Sequence, residues 1–485
     1  MADMTTTAPA EPGGKSNKVF GLLSMVLFSV SAILVADTVG ASAAIGVQGL
    51  TLWVVLAIAF FIPYGFVTAE LGAAWPDEGG IYVWVKEAFG PMWGTVTAWL
   101  YWVNVALWAP SVFVLFTGTL KSVFWPGLSS TGEMFIVLAM IWVMVGIGVL
   151  PMWLSKWVPN LSAALKVIVL LLLGGVGLAF MMKNGAANSF ALKEFMPSWD
   201  LGTLAFMPVI IYSFMGFELM SSAGDAIHDP KRDVPKMILF AGGAILFIYM
   251  FSTFGILAAI PLKDVSIVTG IADALKLAFD SVLHGWGWLY QLVIVGLLFT
   301  FLGNMVTWSI GANHSIAATG MDKTAPGIFG HESKRFGTPD YAFYLMGLIA
   351  SVVTVINFTL FANNDSIFWT IFALSSVVFL LPYVLMFPAL VVLRKKFPDQ
   401  PRPYKVPLGE FGAWLWTILC EAGIVLTLFL FFYAVPEGTP KGLYWSVTGI
   451  GTTISIAVGF WLYVHAKNKA AKTAALPIVA PPEES

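Results

Sequence analysis

Two acidic residues sit where this sequence is otherwise apolar, and each has glycine close by. Asp37 falls in ADTVGASAAIG, residues 36–46, and Glu218 follows Gly216 in YSFMGFELMSSAGDAIHDPKRDVPK, residues 212–236. Lys166 is a third ionisable group of this kind, set between Leu165 and the run VIVLLLL. A charge inside hydrocarbon is costly and persists mainly where it faces a cavity, a partner or a transported molecule. The chemistry open to such groups is binding, because a carboxyl at the membrane midplane can hold an ammonium group or a proton. Interruption of two apolar helices, at Gly40 and at Gly216, would add freed backbone groups at the same depth. Half-helix N-termini then hold a carboxylate, and half-helix C-termini hold an ammonium or cation. A zwitterionic amino acid suits such a site.

Each of these residues also has a plainer reading. Asp37 either holds a substrate ammonium or a proton, or it caps a half-helix starting near Thr38. Glu218 either contacts substrate or holds an unwound turn. Lys166 either approaches the first interruption or snorkels to the interface, only about ten residues into its helix. Asn104 and Trp108 are one helical turn apart and share a face, so they line the site or pack between helices. Asp225 reads as an interfacial gate or salt link, and His314 as a pH-sensitive group or a helix-end hydrogen bond.

The elements that must position these groups are membrane helices. With 58% hydrophobic and 11% charged residues over 485 positions, no soluble fold could hide this much apolar surface. Apolar windows predict about twelve spans, at roughly 19–47, 50–75, 92–122, 134–152, 155–183, 201–224, 234–262, 286–319, 340–362, 366–393, 410–434 and 442–466. The stretch 268–282 is amphipathic and is expected at the interface. Lys and Arg gather on one side, from Lys15 and Lys18 through Lys231 and Arg232 to the 394–405 cluster, which puts both termini in the cytoplasm of an inner-membrane protein. Residues 1–17 and 467–485 are expected to be disordered. The interruptions fall five spans apart, in spans 1 and 6. This predicts an all-α membrane fold with an inverted 5+5 repeat, about 18–183 and 201–396, followed by spans 11 and 12 at about 410–466.

Other classes lack support. One cysteine, Cys420, excludes a disulfide framework or a Cys-based metal cluster. No histidine lies at metal-ligand spacing, and no P-loop, Rossmann fingerprint or nucleophile elbow is present. Neither an enzyme, a cofactor, a metal site nor a nucleic-acid surface is expected.

Four stretches in sequence order resemble the amino acid–polyamine–organocation transporter superfamily. They are AELGAAWPDEGGIYVWVKEAFG (69–90), SFMGFE with its DPKRDVP loop, TWSIGANHSIAATGMD (307–322) and RKKFPDQPRPYKVP (394–407). The third is similar to the glutamate/γ-aminobutyrate antiporter branch. The resemblance implies a leucine-transporter-type fold with an amino-acid-like substrate between spans 1, 3, 6, 8 and 10. By position it implies that Tyr212 is an aromatic gate, that Trp308 lines the site, and that Phe372 and Ser375 are candidates on span 10. Gly40, Ala41 and Ser42 fall near the backbone that would hold the substrate carboxylate. Asp-Thr-Val-Gly-Ala-Ser stands where the family usually carries a Gly-Ser-Gly-type triplet. Proton-coupled members carry a lysine early in span 5, so Lys166 would stand where sodium sits in sodium-coupled relatives.

The expected function is secondary transport of amino acids or related amines by alternating access, coupled to protons or run as exchange. A polyamine or monoamine carrier using Asp37 as counter-ion is the alternative, and a channel or receptor-like protein on the same fold is a further one. Bulky Tyr212 and Trp308 look like gates rather than pore walls. The partners expected are the small-molecule substrate, protons and the bilayer, with the chain a monomer or homodimer and no autoinhibition by the tail.

Overall fold

The computed structural model describes residues 22–75, 79–198, 200–221, 230–360, 364–435 and 439–474. Asp225 with its loop, the first 21 residues and residues 475–485 lie outside the described residues. Every regular element among the described residues is helical, as hydrocarbon demands of a chain whose backbone must satisfy itself.

The first two helices, α1 (Leu22–Ile33) and α2 (Val39–Ala43), flank an unwound stretch. Then come α3 (Gln48–Ala74), the short amphipathic α4 (Ile81–Phe89), α5 (Pro91–Val123), α6 (Ser130–Val149) and α7 (Trp157–Asn184). A second broken pair follows, α8 (Leu201–Ser213) and α9 (Phe217–Ser221). The chain continues through α10 (Pro230–Ala259), the amphipathic α11 (Gly270–Val282), α12 (Gly287–Met321) and α13 (Asp340–Leu360). It ends with α14 (Asn364–Lys396), α15 (Gly409–Tyr433) and α16 (Lys441–Ala474). Among the described residues, ten helices are long and apolar enough to cross a membrane.

Spans α5 and α14 are the most buried of these and form the centre of the bundle, while α15 and α16 keep most of their surface exposed. Large apolar side chains such as Ile58, Ile168, Phe247, Val295, Phe429 and Ile454 cover the outside. On a soluble protein that would be an aggregation hazard; against lipid it is the expected coat. Within α3, residues Ala57–Phe61 are wound as a π-helix. Pro63 lacks the N–H that would continue the ladder there. The widened turn sets Phe61 flat against Phe214 at 4.4 Å and Phe217 at 4.8 Å, so α3 braces the second broken pair.

Three boundaries differ from the sequence reading. The first interruption spans 34–38, ahead of Gly40, which lies inside α2. Glycine at 40 instead admits a neighbouring backbone, since a Cβ there would stand 2.5 Å from the Ile267 carbonyl oxygen. The hydropathy reading did not separate α4, whose buried face carries Ile81, Tyr82, Trp84, Val85 and Ala88. Finally, α16 continues to Ala474, past the expected end near 466, through Ala- and Lys-rich sequence of high helix propensity.

At the basic end of the bundle, two of the resembling stretches meet. Glu70 of α3 is fully buried and takes a bidentate pair from Arg394 of α14, at 2.7 and 2.6 Å, and the Val406 N–H at 2.6 Å. Arg402 stands 3.6 Å away. A second tie joins Lys86 of α4 to Asp322 at the end of α12, at 2.6 Å, with the Tyr82 hydroxyl donating to the same carboxyl at 2.8 Å. Partial burial raises the Asp322 carboxyl. The Lys86 and Tyr82 hydrogen bonds more than reverse that and hold it below the usual carboxylate range.

Candidate functional site

The two interruptions lie against each other. Gly216 has φ of +132°, a conformation that L side chains rarely adopt, and its missing Cβ would stand 3.1 Å from Ile33 at the end of α1. The two breaks are also tied by hydroxyls, with Ser213 donating to Thr38 at 2.8 Å.

Asp37 lies in the first break, 2% exposed, and neither carboxylate oxygen has a hydrogen-bond partner. Thr38, not Asp37, occupies the N-cap position of α2, and it makes no side-chain cap bond. The capping reading of Asp37 therefore does not describe this geometry. The Lys166 ammonium, the Trp108 indole and the Tyr212 hydroxyl are all within electrostatic reach of the Asp37 carboxyl. Lys166 is 2% exposed and donates to Asn304 Oδ1 on α12 at 3.0 Å, so it does not snorkel to the interface.

Ala41 and Ser42 are buried on α2, just past the break, with Ser42 Oγ 3.2 Å from Thr253 Oγ1 of α10. They pack behind the site rather than at its unwound backbone. Ser375 is likewise buried, and its hydroxyl is taken up by the Phe372 carbonyl of its own helix at 2.9 Å.

Aromatic rings enclose the space beside Asp37. Trp108 meets Tyr212 at 5.8 Å and Trp308 at 5.7 Å, both edge-on. Tyr212 meets Phe372 at 4.9 Å and Phe379 at 5.6 Å, and Phe379 meets Trp308 at 5.6 Å. Helices α5, α8, α12 and α14 thus each supply a wall. Buried polar atoms without partners gather on these elements: both amide atoms of Asn104, the Trp108 and Trp308 indole nitrogens, and Asn304 Nδ2. Unpaired buried polar groups are rare in a settled core and each carries a desolvation penalty. A buried carboxyl with aromatic side chains beside it is an environment that can hold a desolvated ammonium by charge.

Glu218 is different, because its acceptors are filled. Tyr64 of α3 donates to one oxygen, while Tyr101 of α5 and Tyr383 of α14 donate to the other at 3.0 and 2.7 Å. The Tyr64 oxygen in turn accepts the Gly216 and Phe217 amides at 3.0 and 3.1 Å. This network organises the second break and favours the structural reading of Glu218. A cavity of about 120 Å³ approaches it from the side of α4, lined by Gly79, Gly80, Tyr101, Glu218, His314 and Ser315.

Tyr64, Tyr101, Tyr249, Tyr383, Asn304 and Phe379 escaped the sequence reading. Asn304 carried a usable signal, since it lies one turn before Trp308 on the same face. The tyrosines carried only the weak one of a polar tip in an apolar span. The convergence of Tyr64, Tyr101 and Tyr383 on one carboxylate, from three helices, is invisible in one dimension.

Residues 20–454 match the family model described as amino acid permease. Among curated proteins, a probable agmatine/putrescine antiporter of Lactococcus lactis is 36% identical over 91% of this chain and 93% of its own length. A polyamine transporter of Oryza sativa is 24% identical over 85% of this chain and 73% of its own. A glutamate/γ-aminobutyrate antiporter of Lactococcus lactis is 23% identical over 78% of this chain and 76% of its own.

Proposed function

This chain belongs to the amino acid permease family, a secondary transporter of amino acids or related amines, and we propose that its substrates are cationic amines held by Asp37. The observation that carries this reading is a buried carboxyl with no hydrogen-bond partner, at a helix break, beside an aromatic enclosure. An amine supplies hydrogen-bond donors that the carboxyl lacks. The relatives named for agmatine, putrescine or polyamine support the same class.

In this reading the chain crosses the membrane twelve times with both termini cytoplasmic. Helices α1–α7 and α8–α14 form the inverted halves, and rocking of the halves exposes the site to either side in turn. Tyr212 and Trp308 close over the substrate. Lys166, tied to Asn304 and facing Asp37 across the site, couples transport to protons or to exchange by competing with the substrate ammonium for that carboxyl. Beyond Lys166, no cationic side chain among the described residues named at the site offers itself to a second substrate carboxylate, which argues modestly against an acidic amino acid.

The test is thermal stabilisation of the purified protein by a panel of amines and amino acids, since a ligand of the folded state raises the melting temperature by mass action. A shift with amines that is lost in Asp37→Asn is the expected result. A shift confined to amino acids and unchanged in Asp37→Asn would overturn the amine reading and return the site to the broken-helix backbone. Counterflow in proteoliposomes separates a carrier from a channel, because only a carrier accelerates efflux when substrate is present on the far side.

A further inference from the structure

We propose that Tyr249 of α10 is a positioning residue for transport, holding the unwound stretch before α2 in the shape that presents Asp37 to the aromatic enclosure. This rests on the counter-ion reading of Asp37. Past the end of α1 the backbone leaves the helical ladder, and its polar groups need partners from elsewhere. One hydroxyl supplies two of them: Tyr249 Oη accepts the Val35 N–H at 2.8 Å and donates to the Ile33 carbonyl at 2.9 Å. It thus bridges the break from outside, where two intrahelical bonds would otherwise run.

The hydroxyl is itself held firmly. Tyr249 is fully buried, and its ring stacks on Trp53 of α3 at 4.6 Å and 14°. Trp53 meets Phe214, at the second break, edge-on at 5.1 Å. At the other end of the stretch, Thr38 is tied by Ser213. Asp37 lies between these two ties and makes no hydrogen bond of its own, so the backbone on either side sets its direction. Tyr64 does the corresponding work at the second break, where its hydroxyl takes the Gly216 and Phe217 amides. Each break is therefore clamped by a tyrosine from the long helix that follows the other broken pair.

Tyr249→Phe keeps the ring and its stack and removes only the hydroxyl. With 1,4-diaminobutane exchange in proteoliposomes as the readout, we expect KM to rise about tenfold, the scale of a buried hydrogen bond left unmade. The maximal rate should stay within about twofold, since the loss is in binding. In the Asp37→Asn background the same substitution should add little, because both act through one carboxyl. An unchanged KM with only a lower melting temperature would show a purely structural role and overturn the inference. So would a full Tyr249→Phe effect that persists without the Asp37 carboxyl. If Asp37→Asn itself leaves KM unchanged, the counter-ion reading falls and takes this inference with it, an outcome distinct from both. Should Tyr249→Phe fail to accumulate as folded protein, Ser213→Ala removes the neighbouring tie. It is expected to raise KM in the same direction, and no change there overturns the inference.

Discussion

In the proposed site, burial would turn two ordinary side chains, Asp37 and Lys166, into its chemistry. An isolated charge in hydrocarbon would be intolerable, but Lys166 has Asn304 and Asp37 has the field of Lys166. Removing the carboxyl while keeping its shape should therefore weaken amine binding strongly. Asp37→Asn is expected to raise the amine dissociation constant by at least about tenfold, consistent with loss of a charge-assisted contact, measured by calorimetry. Lys166→Ala should flatten the pH dependence of exchange rather than abolish binding. Full retention of that dependence in proteoliposomes would remove the lysine from coupling.

The broken pairs are the elements that make such a site, and they hold their shape only with outside help. Five-residue helices such as α2 and α9 have no stability of their own. Bracing comes from the π-widened turn of α3, which sets Phe61 and Tyr64 against the second break. Tyr64→Phe removes the hydroxyl that accepts the Gly216 and Phe217 amides and donates to Glu218. It is expected to cost about 1–3 kcal/mol per orphaned group before relaxation. A melt that stays within a degree of the wild type would show that water or a neighbour replaces the hydroxyl.

Across the whole molecule the basic end is locked by side chains far apart in sequence. Glu70 with Arg394 and Arg402 joins α3, α14 and the loop after it, and removing Arg394 leaves this buried charge only Arg402 at 3.6 Å and the Val406 N–H. Arg394→Ala is expected to destabilise by about 3–5 kcal/mol, read by thermal melting in detergent. The Lys86–Asp322 tie is more exposed and contributes less. Because the folded Asp322 carboxyl titrates below its unfolded value, its contribution is present above about pH 4 and is lost as pH falls through the lowered value. The hydrogen bond to Asp322 holds Lys86 above its ordinary range, so that side of the tie persists until strongly alkaline pH. The stability gap between wild type and Asp322→Asn should thus be steady near neutrality and narrow on the acid side. A gap that widens with acid would contradict this assignment.

Hydropathy is a one-dimensional property, so the ten long helices were legible from the apolar runs alone. Their ends came within a few residues for α5, α7, α12 and α15, because twenty-residue apolar runs leave little choice. The two interruptions were legible as glycine and acid in apolar sequence, and Lys166 stood out as a charge in an apolar run, whereas Tyr212 and Trp308 were expected only through the family resemblance. The register of the first break was not, since Gly40 is small for the sake of Ile267, more than 200 residues away, and not for unwinding. Nor could the sequence decide between the two acids. Asp37 and Glu218 look alike in one dimension. Only packing leaves the first without a partner and surrounds the second with three tyrosine hydroxyls. Hydrogen bonding across helices depends on which faces meet, and that is fixed by the tertiary structure.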